Sequence, residues 1–100
     1  MTRETFPLPG GRMEAVAVGR VLYVLPAIVP TMPTRLRRLL ELRREAAITG
    51  TCPRCSAALP SVPVHDGGTM SLEHERWCPV SDPALLPVLA RWWARHEAVA

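Results

Sequence analysis

The chain is 100 residues long and 48% hydrophobic, with twelve basic and nine acidic residues and a net charge of +3. That length implies a single domain, residues 1–100, of a size that often needs a metal or a partner as a staple. The apolar content argues against global disorder, and so small a charge surplus is weak for a dedicated nucleic-acid binder.

Residues 1–12 carry Pro7, Pro9, Gly10 and Gly11 and read as an extended arm. Residues 13–30 read as strands followed by a proline-rich segment. The run MEAVAVGRVLYVL suits two short strands joined at Gly19-Arg20 by a type II′ turn. The segment PAIVPTMP is apolar, but its prolines exclude helix and central strand. It is expected to cross the core as extended chain.

Residues 34–47 are the strongest helical pattern. Thr34 is placed to N-cap, Gly50 to stop, and Leu36, Leu39, Leu40, Leu42, Ala46 and Ala47 form an apolar stripe. Arg37, Arg38, Glu41, Arg44 and Glu45 occupy the other face, where Arg37–Glu41, Arg38–Glu41 and Glu41–Arg44 have the spacing of helical ion pairs. This face reads first as a solvated surface and second as a phosphate-contacting one.

Residues 51–80 hold the chemistry. Within them, Asp66-Gly67-Gly68 marks a hairpin turn. Around it the spacing is Cys52-x2-Cys55-x18-His74-x3-Cys78, the arithmetic of a zinc finger. A tight CxxC turn aims two sulfurs at one ion. On an extended strand His74 and Cys78 would sit about 13 Å apart, too far to share a tetrahedral Zn²⁺. They must therefore lie on one turn, and Pro79 keeps that turn short. His65 stands as an alternative to His74 in the ligand set. Trp77, beside Cys78, is expected to shield the metal from water.

The pattern CPRC, a hairpin, then HERWCP resembles the small treble-clef or zinc-ribbon-like modules of actinobacteria and their phages. The composition fits that source, since every basic residue is Arg and Lys, Asn and Gln are absent. The resemblance covers residues 51–80 only, and it implies Cys52, Cys55, His74 and Cys78 as ligands. Pro79 departs from the longer helix that treble clefs place after the second ligand pair.

HERWC is also an HExxH box with its last ligand changed to Cys. In such an enzyme the fourth zinc position holds water. Here Cys52 and Cys55 fill the sphere, so the site reads as structural and Glu75 as a solvated neighbour. A deaminase would need H-x-E before PCxxC, an HNH nuclease would need an Asn, and a redox CxxC would need a βαβ context. The expectation is a protein without catalysis.

Residues 82–98 read as a closing helix capped by Ser81 or Asp82, with Pro87 delaying or kinking it. Leu85, Leu89, Trp92 and His96 share a stripe, and His96 falls where it complements the helix dipole. Trp92 and Trp93 point about 100° apart, so one is core and the other a candidate partner contact.

The expected fold is therefore α+β: a small zinc-stapled domain with short β-hairpins, one central Arg/Leu-rich helix and a C-terminal helix. The expected function is protein–protein contact, as an adaptor, an assembly subunit or a homo-oligomer. The alternative is nucleic-acid binding through Arg35, Arg37, Arg38, Arg44 and Arg54. Three cysteines, a CxxC and no visible signal peptide point to a bacterial or phage-infected cytoplasm, with a virion as a further setting. The longest uncharged run is too short and too proline-rich to span a bilayer.

Overall fold

A computed structural model describes residues 2–56 and 74–97. The elements in order are β1 (Arg3–Pro7), β2 (Met13–Val18), β3 (Val21–Pro26), α1 (Thr34–Thr49) and α2 (Asp82–Glu97). The fold is α+β. The hairpin expected around Asp66-Gly67-Gly68 lies outside the described residues.

The three strands form one antiparallel sheet in the order β1-β2-β3. Val-rich alternation drives β2 and β3 together, with Val16 opposite Tyr23 and Ala15 opposite Val24. Gly19 takes φ 60° at the first turn position, as a type II′ turn requires. The expectation of an arm at residues 1–12 is corrected. Arg3–Pro7 pairs along its whole length with β2, because Gly10 (φ 92°) and Gly11 (φ 74°) fold the chain back instead of loosening it.

One face of the sheet carries Arg3, Glu14, Val16, Tyr23 and Leu25, and α1 lies on it. Arg44 Nη2 donates to Glu14 Oε2 at 2.8 Å and to the Pro26 carbonyl at 3.0 Å. Arg3 pairs with Glu45, and the Tyr23 hydroxyl donates to the Ile48 carbonyl. Arg44 thus pairs across to the sheet instead of with Glu41, and none of the three ion pairs expected within the helix is found among the described residues. A side chain on α1 gains more from a carboxylate held on a neighbouring strand than from a solvated partner one turn away.

The α1 helix runs two residues beyond the expected end and stops at Gly50, whose φ of 78° accommodates the αL cap. Pro33, not Thr34, holds the N-cap position, without a side-chain cap bond. The proline-rich segment before it is irregular. It buries Ala27 and Met32, and Ile28 and Val29 pack on the core.

The α2 helix starts at Asp82, as expected for the segment 82–98, and runs on through Pro87, so the proline does not delay it. Ser81 accepts the first helical bonds from Ala84 and Leu85. The proline ring sits on an exposed face near the helix start. Leu85, Leu89 and Trp92 meet Met32, Leu36 and Leu40 in the principal core. His96 Nδ1 lies 2.7 Å from the Trp92 carbonyl, which places an imidazole on a C-terminal carbonyl as the dipole favours.

Candidate metal centre

The centre is built where α1 ends and α2 begins. Gly50 turns the chain off α1, and Cys52 and Cys55 follow on a tight turn. The Ser56 amide donates to the Cys52 carbonyl at 2.9 Å and closes that turn. Ser56 takes φ 61°, the left-handed region that a side chain disfavours by roughly 1–2 kcal/mol. Ser56→Gly is therefore expected to raise the unfolding temperature, by an amount matching about 0.5–1 kcal/mol after the entropy cost of Gly. Thermal unfolding of the zinc-loaded protein reads it directly.

The second ligand pair sits on a single turn. The Cys78 amide donates to the Glu75 carbonyl at 3.0 Å, which brings Cys78 back under His74. This is the short turn that Pro79 demands.

The four ligand atoms of Cys52, Cys55, His74 and Cys78 all lie within 4.8 Å of one another. Cys52 Sγ and Cys78 Sγ are 3.8 Å apart, and Cys55 Sγ and His74 Nδ1 are 3.4 Å apart. A tetrahedral zinc with bonds of about 2.3 Å to sulfur and 2.0 Å to nitrogen has edges of about 3.8 and 3.5 Å. The donor set and the geometry fit a single Zn²⁺, with His74 ligating through Nδ1. The four residues form a zinc site. His65 lies outside the described residues.

Burial defines the environment. Cys52 and Cys78 are fully enclosed beside Ala46 and Val80, with Leu39 and Leu42 packed around them. Leu39 touches the principal core as well, so metal site and core are one continuous packing unit. The Val80 amide donates to the Cys78 sulfur, a bond that orients the ligand and stabilises its thiolate. Trp77 does not shield the metal. It is 62% exposed, and the small turn points it outward while aliphatic side chains of α1 do the covering. Sequence reasoning missed Ala46, Leu39 and Leu42 in this role, because helical periodicity assigns them to a core without saying which.

Burial pushes the Cys78 thiol up to about 11, helped by the neighbouring thiols of Cys55 and Cys52 and opposed by the Val80 amide. Zinc binds thiolate, so at neutral pH it must expel this proton. Each thiol that must lose its proton to become a ligand makes zinc affinity rise by about tenfold per pH unit, so with three cysteines in the set the rise in the neutral range exceeds tenfold, and competition with a chromogenic chelator at several pH values measures it.

The remaining residues singled out from the sequence are dispersed. Arg35, Arg38 and Arg54 are exposed. Arg44 is committed to Glu14, and Arg37 donates through Nε to the Met32 carbonyl at 3.2 Å. The five arginines thus do not form one free basic face. Trp92 belongs to the core and stacks on His96 at 3.9 Å. Trp93 is half-buried, edge-on to Trp92, with the Arg12 guanidinium 5.6 Å from its ring centre. No helix among the described residues is long and apolar enough to cross a membrane.

Comparison of the chain with protein-family models, with curated proteins and with solved structures found no match.

Proposed function

We propose that this protein is a non-catalytic zinc module that works in protein–protein contact, as an adaptor or as a subunit of an assembly. The outer face of the sheet carries the argument. Phe6, Ala15 and Val24 stand in register across all three strands, and Leu22 follows on the same face. Leu22 is 62% and Val24 58% exposed. Ala15 is buried between its neighbours, so the exposed apolar residues of this face are Phe6, Leu22 and Val24, on the side of the sheet away from α1, and such a row suits a contact surface. Four protein donors around one ion favour a structural role over catalysis, since no ligand position is left for water.

Nucleic-acid binding through the arginines of α1 is the weaker reading. Arg44 and Arg37 are engaged inside the fold, which leaves Arg35 and Arg38 on the helix and Arg54 on the zinc turn. Two measurements separate the readings. The unaltered protein should bind an apolar dye or self-associate, and Leu22→Glu with Val24→Glu should abolish this while zinc content stays at one per chain. Tight binding to a single-stranded oligonucleotide, falling steeply between about 50 and 200 mM salt and lost in Arg38→Glu with Arg54→Glu, would sink the contact reading.

A further inference from the structure

The seam between α1 and α2 is open on one side. It forms a groove of about 380 Å³, near the lower end of the range for pockets that hold a few apolar groups. Leu36 and Leu39 of α1 and Leu85 and Val88 of α2 make its floor. Arg35 stands on the α1 rim, and Arg91 and Arg95 stand on the α2 rim. All three arginines are exposed, and among the described residues none of them meets a carboxylate. Arg3, Arg43 and Arg44, by contrast, are each paired with an acid of this chain.

We infer that this groove is the docking site for an acidic amphipathic helix of a protein partner. The inference rests on the protein-contact reading above and names the partner's chemistry. An apolar floor calls for Leu-like side chains at helical spacing. Arg91 and Arg95 are one turn apart on α2, so two carboxylates one turn apart on a partner helix meet them together. The guanidinium fork suits carboxylates, and Arg35 closes the opposite rim. A sugar–phosphate backbone would satisfy the arginines but would leave the aliphatic floor against polar groups. Pro79, next to the ligand Cys78, also lines the groove.

The test is fluorescence anisotropy on the full, zinc-loaded chain. The probe is a labelled helical peptide of leucine and glutamate, with leucines at i, i+3, i+4 and i+7. Its counterpart with lysine for glutamate, a single-stranded oligonucleotide and phosphatidylserine vesicles are run beside it. The glutamate peptide is expected to bind and the lysine peptide not. Arg91→Glu with Arg95→Glu should weaken binding by at least about tenfold, and Val88→Glu, on the floor, should do the same. Zinc content and thermal unfolding of these surface variants must match the unaltered protein, so that loss of binding is not loss of fold. Equal binding of both peptides, or of neither, overturns the groove assignment and leaves the sheet face standing as the contact surface. Binding of the oligonucleotide or the vesicles through the same arginines, without the glutamate peptide, also overturns it. The oligonucleotide result would remove the protein-contact reading too.

Discussion

Cys78→Ser is expected to lose both zinc and fixed tertiary structure, and a strong chelator should do the same to the unaltered protein. Structural zinc in small domains contributes an apparent 10–16 kcal/mol or so to folding at neutral pH. A domain of this size has a total stability of about 5–15 kcal/mol. The metal term is thus comparable to the whole. The architecture explains why nothing compensates. The site joins the chain leaving α1 to the chain entering α2, and its buried sulfurs pack directly on Ala46 and Val80. Without the metal, three thiols and an imidazole face one another in an apolar environment with only weak hydrogen bonds between them. Metal content by plasma emission, near-ultraviolet circular dichroism and tryptophan fluorescence together read the outcome. His74→Cys should keep the metal, because four thiolates also suit zinc, and His65→Ala should leave the content at one per chain. A Cys78→Ser protein that still holds one zinc and unfolds at the same temperature would falsify the site.

The second large effect belongs to the helix seam. Leu85→Ala should destabilise the zinc-loaded protein by about 2–5 kcal/mol, the range for emptying a buried Leu site. Leu85 is 1% exposed and sits among Met32, Leu36, Leu40, Leu89 and Trp92. Val88, one turn position away and 40% exposed, should lose well under half as much on truncation to Ala. Chemical denaturation of the two variants measures the contrast. Zinc content should remain one per chain in both, since neither side chain touches a ligand. Equal losses would mean that α2 does not dock as described.

The two variants also bear on how the chain is organised. Leu39 belongs to both the core cluster and the metal cluster, so metal and seam should stabilise each other. Leu85→Ala should then give up its zinc to a competing chelator more readily than the unaltered protein does.

Much of this protein is determined locally. The ligand set follows from chemistry and spacing, because few other arrangements of CxxC and HxxxC satisfy a tetrahedral ion. The short turn at His74–Cys78 follows from the reach of one bond and from Pro79. Two strands, the Gly19 turn, α1 and its Gly50 stop follow from periodicity and from residues that tolerate positive φ. Other features are decided only when elements meet. Arg3–Pro7 reads as part of an extended arm because Pro7, Pro9, Gly10 and Gly11 crowd its end. It becomes a strand because β2 offers an unpaired edge, and backbone bonds do not depend on side-chain pattern. Arg44 and Glu45 look like members of a solvated helix face, and the neighbouring sheet supplies them with partners some thirty to forty residues away in sequence. Trp77 looks like a lid and points outward, because the direction of a side chain on a one-turn loop is set by which of its neighbours must face the ion. The metal site is therefore written in the sequence, where bond lengths and ligand types constrain a few nearby residues. The surfaces are not, because exposure is a property of what the rest of the chain leaves uncovered.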